Sequence, residues 1–134
     1  MNNSNKTENL KEKIKQALNS TAKVISGDLQ IKNDLENNKS SKKFDFFDVE
    51  NLNSKNDFIK ARAESDSSAL QKKFSNNEIY QKNLPSNSFS KSLYSIAEKI
   101  RYEALGSKML KGVEKNIKEN YNQIIELKRK DQIK

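Results

Sequence analysis

The sequence predicts a mainly α-helical protein: a small helical domain with a minor short β-ribbon at about residues 28–50 and disordered termini. Three observations support this fold class. Apolar residues recur at three- and four-residue intervals over long segments, as they do on one face of an α-helix. Alternation of apolar and polar residues, which indicates a strand, is clearest at residues 28–32. Hydrophobic and charged residues each make up 33% of the chain, enough for one modest core joined by mobile segments.

The first helix is predicted from about Glu8 to Ser26. Thr7 is a suitable N-cap, and Gly27 stands where a glycine commonly ends a helix. The residues of its predicted buried face follow a regular helical period: Leu10, Ile14, Ala17, Leu18, Thr21 and Ile25. Residues 1–7 are polar, and we predict that they form a disordered tail.

The predicted β-ribbon follows. Its first strand is Asp28–Lys32, and residues 32–43, mostly Asn, Lys and Ser with almost nothing to bury, predict a mobile loop. Four apolar residues come after this loop: Phe44, Phe46, Phe47 and Val49. They form either a second short strand paired with the first or an aromatic clamp on the helices. Stacking on nucleic-acid bases is disfavoured, because Asp45 and Asp48 would repel phosphates.

The second helix is predicted over about residues 57–74. Its buried face combines apolar residues with one carboxylate: Ile59, Ala63, Asp66, Leu70 and Phe74. A buried carboxylate needs a partner, because an unpaired buried charge is very costly. Arg62, one turn earlier, or Arg101 on the next helix could pair with it. Alternatively, Ser65 or Asp66 caps a fresh helix start, and backbone N–H groups hold the carboxylate. Both interpretations make Asp66 structural rather than catalytic.

The best-patterned segment, residues 95–116, is predicted to be the packing centre of the domain. A turn with the single proline, residues 83–87, leads into this central helix, with Ser86 or Ser88 as its N-cap. One apolar face consists of Leu93, Ala97, Ile100 and Ala104. A second row consists of Tyr102, Leu105, Met109, Val113 and Ile117. Either one helix contacts two neighbours, or the segment is two helices with a break at Gly106, where glycine weakens the helix.

The domain is predicted to extend over residues 8–121. The apolar period continues through Tyr121 and Ile124 and then fades. Residues 122–134 are highly charged, and we predict that they form a tail or the start of a linker.

The composition excludes several classes of active site. The chain has no Cys, so it has neither disulfides nor thiolate metal ligands. It has no His, which removes the commonest general base and the commonest metal ligand. Its three glycines, Gly27, Gly106 and Gly112, cannot form a glycine-rich phosphate loop. Carboxylate-only metal or acid–base chemistry is compatible with this composition, but the acidic residues lie mainly on polar faces of the predicted helices, as solvated charges do. We therefore predict no catalytic, cofactor-binding or metal-binding residue.

The net charge of +8 has two interpretations. Lysines at Lys108, Lys111, Lys115 and Lys118, on one side of a predicted helix, would suit a small nucleic-acid-binding protein. Solvated helix faces explain the charge better, because acidic residues are interspersed throughout and only three arginines are present. We expect a cytoplasmic protein without a membrane partner, since the sequence contains neither a secretory signal nor an apolar run of about 20 residues.

Two segments carry a family resemblance. Residues 62–70, RAESDSSAL, resemble an R-x-E-[AS]-D-S-x-A-L motif. The central segment resembles E-Q-A-R-x-E-A-[IL]-G-x-x-x-M-x-G-V-x-x-N at Glu98, Arg101, Glu103, Ala104, Leu105, Gly106, Met109, Gly112, Val113 and Asn116. Both are similar to the N-terminal region of CobT, a subunit of the aerobic, ATP-dependent cobaltochelatase. Residues 14–17 and 25–28 resemble the opening helix of that family and its end.

The resemblance implies a role in cobalamin biosynthesis. In that family, CobT is an adaptor between a hexameric AAA+ ATPase, CobS, and a large porphyrin-type subunit, CobN, which together insert cobalt into a corrinoid ring. ATP and cobalt would then be handled by the partner subunits, and this chain would hold no cofactor. CobT also carries a C-terminal von Willebrand A domain with a metal-adhesion site, and we expect this sequence to lack it.

The resemblance also supplies candidate structural or partner-binding residues: Arg62, Asp66, Arg101, Glu103, Leu105, Gly106, Met109 and Val113. We predict that the second apolar row binds the ATPase, in which case changes at Leu105 or Met109 weaken the complex without unfolding the domain. If they unfold it, these residues belong to the core. Two alternatives stay open, namely the basic nucleic-acid-binding protein and a remnant without function.

Overall fold

The computed structural model describes residues 2–27 and 52–132. These residues form five helices: α1 (Asn2–Ser26), α2 (Lys55–Phe74), α3 (Asn77–Lys82), α4 (Ser88–Met109) and α5 (Lys111–Gln132). The mainly α-helical fold class is therefore confirmed. The described ranges contain no strand. The β-ribbon predicted at about 28–50, with its loop at 32–43, lies outside the described residues.

Helix α1 ends where the sequence predicts but begins earlier. It runs to Ser26, and Gly27 follows with φ of 75°, the left-handed conformation that favours glycine. Its start is at Asn2 rather than near Glu8, so most of the predicted disordered tail is helical. The reason is that each added residue extends the helix by one hydrogen bond, and no glycine or proline interrupts this segment.

Helix α2 is the packing centre of the described fold. A capping box fixes its start: Ser54 Oγ accepts a hydrogen bond from the Asp57 N–H at 3.1 Å, and Asp57 Oδ2 accepts one from the Ser54 N–H at 2.9 Å. Its body contacts α1, α4 and α5. Seven of the ten residues from 61 to 70 are buried, and five of them are alanine or serine. Such small side chains let neighbouring helices approach closely on several sides.

Helix α3 was not predicted, and the cap of α4 differs from the prediction. Asn76 caps α3 and Asn87 caps α4, each by accepting a hydrogen bond from a backbone N–H three residues later, at 3.1 Å and 2.8 Å. The predicted caps, Ser86 and Ser88, are wrong by one residue. Asparagine is as good a cap as serine, so composition alone did not distinguish them.

The predicted break at Gly106 is wrong. Helix α4 continues through Gly106 to Met109, and the break falls at Leu110, whose backbone is extended. Gly106 is buried, and a Cβ atom there would overlap the Leu70 side chain. The glycine therefore allows close approach of α4 to α2 rather than a bend.

The prediction that residues 95–116 are the packing centre is also wrong. Within α4 only Tyr102, Glu103 and Gly106 are buried, and most of its apolar residues face solvent. Helix α5 then turns back along α4 and continues to Gln132, so most of the predicted charged tail is helix. The main hydrophobic cluster joins four helices: Ala22, Ile25, Ala69, Leu70, Tyr102, Val113 and Ile117. No described helix combines the length and the apolar character that a membrane crossing requires.

Candidate interaction surfaces

Helix α4 carries an exposed row of large apolar side chains. Phe89, Leu93, Ile96 and Ile100 are 75%, 52%, 56% and 59% exposed, and we call this row the α4 stripe. Their spacing of four, three and four places them on one side of the helix. The face predicted from Leu93, Ala97, Ile100 and Ala104 lies on this side and is exposed throughout. An apolar face of this kind marks a binding surface more often than isolated exposed residues do.

A polar clamp fixes α4 to the end of α2. Arg101 donates two hydrogen bonds of 2.8 Å to the two carboxylate oxygens of Glu98, and a third of 2.8 Å to the backbone carbonyl of Phe74. Ser75 donates to Glu98 Oε1 at 2.6 Å. The hydrogen bonds from Arg101 are the main reason that the pKa of Glu98 falls to about 2. Arg101 therefore holds α4 in place and is not the partner of Asp66.

A buried carboxylate joins three helices deeper in the fold. Glu103 is 6% exposed and accepts hydrogen bonds from Ser67 on α2 at 2.6 Å and from Tyr121 on α5 at 2.8 Å. Burial, followed by the hydrogen bond to Glu103, raises the pKa of Tyr121 to about 12. Because both donors to Glu103 come from other helices, this predicted site residue has a structural role.

Asp66 has a partner that sequence reasoning did not identify. It is 2% exposed, and its Oδ2 accepts a hydrogen bond from Asn116 Nδ2 at 2.6 Å. Helix α2 is continuous at this point, so the interpretation of a fresh helix start is wrong. Arg62 pairs with Glu119 instead, at 2.9 Å. The pKa of Asp66 is raised, because burial disfavours the charged carboxylate. The hydrogen bond from Asn116 and the positive charge of Arg62 lower the pKa, but burial has the larger effect.

A cavity of about 520 Å³ lies where α1 and α2 meet the junction of α4 and α5, and we call it the elbow cavity. Seven residues of the two family motifs line it: Asp66, Leu70, Gly106, Met109, Gly112, Val113 and Asn116. The two motifs, which are far apart in sequence, therefore meet around one concave site. Thr21, Val24, Ile25 and Phe74 complete much of the wall, and Lys73 and Lys111 contribute positive charge.

The second apolar row divides between the core and the surface. Val113 is buried, whereas Leu105 and Met109 are 39% and 60% exposed. Met109 lines the elbow cavity and Leu105 does not.

Sequence reasoning missed Phe89 and Ile96, although the four-three-four spacing of the α4 stripe would have included them. It also missed Asn116 as a partner, because amide partners on distant helices leave no periodic signal.

The structure divides the lysine row that suggested nucleic-acid binding. Lys108 lies on α4, before the break, and the other three lysines lie on α5. Glu114 accepts hydrogen bonds from both Lys111 and Lys118, at 3.0 Å and 2.7 Å. Over the two described ranges, no group of three or more acidic residues is placed to hold a metal ion.

Comparison with known proteins gives one family. The family model described as cobalamin biosynthesis protein CobT matches residues 8–134. No curated protein and no solved structure matches the chain significantly.

Proposed function

This chain belongs to the CobT family of cobalamin biosynthesis proteins, and we propose that it is an adaptor subunit that binds the AAA+ ATPase of a cobaltochelatase through the α4 stripe. In this proposal the ATPase and the large porphyrin-type subunit supply ATP hydrolysis and cobalt insertion, with cobalt as substrate. The chain itself contributes binding and positioning, and no catalytic residue.

The exposure of the α4 stripe is the observation that carries the proposal. Four large apolar side chains on one helix face remain in contact with water, although the same helix is tied to the end of α2 by Arg101, which lies off this face. Full burial of a large apolar side chain is worth roughly 1.5–3 kcal/mol relative to full exposure, and each stripe residue has about half to three quarters of its surface left to bury against a partner. A face that is already ordered also loses little conformational entropy on binding.

Two side-chain contacts join α3 to the N-terminal half of α4, which carries the α4 stripe. The Tyr80 hydroxyl lies 2.7 Å from Ser95 Oγ in a hydrogen bond, and the Tyr80 and Tyr94 rings are 5.1 Å apart between centroids. These contacts lie to one side of the α4 stripe and leave it open. The result is an amphipathic helix of the type that docks into an apolar groove of a partner.

The test is complex formation with the AAA+ ATPase of the same organism, co-expressed with the full chain. We expect the double variant Leu93→Ser, Ile96→Ser to weaken the complex by at least about tenfold, because two apolar anchors are lost. The matched control is Ile125→Ser on α5, which changes an apolar residue of similar exposure, 47%, outside the stripe. Its complex should keep wild-type affinity.

Circular dichroism and thermal unfolding separate loss of binding from loss of fold. The double variant should keep its helix content and its melting temperature. Unfolding of this variant would place the stripe in the core of the protein and contradict the proposal. Wild-type affinity in a folded double variant would contradict it equally.

A further inference from the structure

We propose that the elbow cavity is a second binding site, which takes an acidic protein segment that inserts one tyrosine or tryptophan side chain. The site is distinct from the α4 stripe, and the inference rests on the walls, the floor and the rim of the cavity.

The size and walls of the cavity fit an aromatic side chain. A volume of about 520 Å³ falls within the range of roughly 300–1,000 Å³ that is typical of ligand pockets. Its walls include the apolar side chains of Ile25, Leu70, Phe74 and Val113. Large aromatic side chains bury the most apolar surface at small conformational cost, which is why they are common anchors at interfaces.

The floor of the cavity requires a hydrogen-bond donor on the inserted group. Asp66 lines the cavity and is 2% exposed. Across the described residues its carboxylate receives one hydrogen bond, from Asn116 to Oδ2, which leaves Oδ1 able to accept another. A purely apolar group packed against Oδ1 would leave this buried acceptor without a hydrogen bond, which costs free energy. A phenol O–H or an indole N–H avoids that cost, whereas a phenylalanine ring does not.

The rim of the cavity favours acidic residues on either side of the inserted group. Lys73 and Lys111 are the basic residues that line the cavity, and Asp66 is its one acidic lining residue among those described. The Lys111 ammonium is highly exposed and is 3.0 Å from Glu114, a surface pair of small energetic value that a partner carboxylate can replace. The net charge of +8 draws an acidic segment towards the chain as a whole.

The first experiment titrates the ¹⁵N-labelled full chain with three probes and follows the amide signals by NMR. Indole should shift the signals of cavity residues such as Leu70, Val113 and Asn116. The matched probe 1-methylindole, which lacks the N–H donor, should bind about tenfold more weakly, the effect of one lost hydrogen bond to a charged group. Indole-3-propionate should bind more tightly than indole at low salt, since its carboxylate can reach the lysines.

The second experiment replaces the small probes by an acidic synthetic peptide with a single tryptophan. It should shift the same signals, and replacing its tryptophan by phenylalanine should weaken binding about tenfold. The double variant Lys73→Glu, Lys111→Glu should weaken peptide binding at least about tenfold and reduce its salt dependence. The matched control, Lys115→Glu, changes an exposed lysine of α5 that does not line the cavity, and should bind the peptide nearly as the wild type does.

Three results would overturn the inference. Absence of shifts at the cavity residues with all probes would remove the site. Equal binding of indole and 1-methylindole would remove the role of Asp66. Binding of the indole compounds but not of the peptide would assign the cavity to a small molecule instead of a protein segment. None of these results would alter the expected loss of the ATPase complex on substitution of the α4 stripe.

Discussion

Helix α2 is buried without having a clear apolar face, whereas α4 has a clear apolar face that is exposed. Helix α2 shows almost no separation of apolar and polar faces, yet seven of the ten residues from 61 to 70 are buried. Helix α4 has a regular apolar row, yet every member of the α4 stripe is more than half exposed. The difference shows that a regular apolar period does not by itself predict burial within the chain.

Composition explains how α2 can be the packing centre without a clear apolar face. Alanine and serine bury little apolar area each, but they let α1, α4 and α5 approach the same helix from different sides. The few larger groups, such as Leu70 and Asp66, then meet specific partners: Gly106 faces Leu70, and Asn116 hydrogen-bonds to Asp66. Complementary pairs replace the broad apolar stripe of an ordinary surface helix.

The largest expected effect compares one leucine from each helix. Leu70→Ala should lower the free energy of unfolding by about 2–5 kcal/mol, because Leu70 is fully buried and its loss leaves a cavity. Leu93→Ala should change it by less than about 0.5 kcal/mol, because that side chain is 52% exposed. Urea denaturation of both variants measures the difference. Similar losses in the two variants would show that α4 belongs to the core as much as α2.

Gly106→Ala tests the close approach of the two helices. The added methyl group overlaps Leu70, and overpacking of this kind costs about 1–3 kcal/mol, whereas higher helix propensity would return up to about 1 kcal/mol. We therefore expect a net loss of stability in thermal unfolding. Gly112→Ala serves as the control, since among the described residues no atom outside the local helix backbone lies within 4 Å of the position where its Cβ would be. A stabilised Gly106→Ala variant would contradict the tight α2–α4 contact.

The clamp between the two helices should give a pH-dependent contribution. The pKa of Glu98 is about 2 in the folded state, below its ordinary value of 4.5. Glu98 therefore stabilises the fold above pH 4.5, and this contribution is lost as the pH falls from 4.5 towards 2. Glu98→Gln should cost about 1–2 kcal/mol at pH 7 and progressively less in acid.

Denaturation at several pH values measures this contribution against a control. Glu64→Gln changes an exposed carboxylate of α2 whose pair with Lys60 is 3.9 Å long, and should have little effect at any pH. If Glu98→Gln lowered the free energy of unfolding by the same amount at pH 7 and at pH 2, the clamp would not depend on the charge of Glu98.

Much of the helical architecture is predictable from the sequence, because helix periods and caps are local. The end of α1 at Gly27 and the extent of α2 follow from such signals. The role of Gly106 does not, since glycine weakens a helix and also permits close packing, and only the position of Leu70 decides between the two effects. The Asp66–Asn116 pair depends in the same way on how distant helices meet.

The sequence also predicted the two candidate sites unequally: it named residues of the elbow cavity but misplaced the α4 stripe. The resemblance motifs named Asp66, Gly106, Met109 and Val113, which the fold brings together around the elbow cavity. The α4 stripe was partly visible as a periodic face, but the sequence placed it in the core, because a single chain does not distinguish a face buried within itself from one buried against a partner.

Hydrogen–deuterium exchange of the full chain, alone and in complex with the AAA+ ATPase, tests the central claim most directly. Alone, the amides of α2 around Leu70 should exchange slowly and those of α4 from Phe89 to Ile100 faster, because few contacts cover that half of the helix. In the complex, residues 89–100 should become protected while α2 changes little. An unchanged exchange rate across the α4 stripe in a complex that does form would contradict the account.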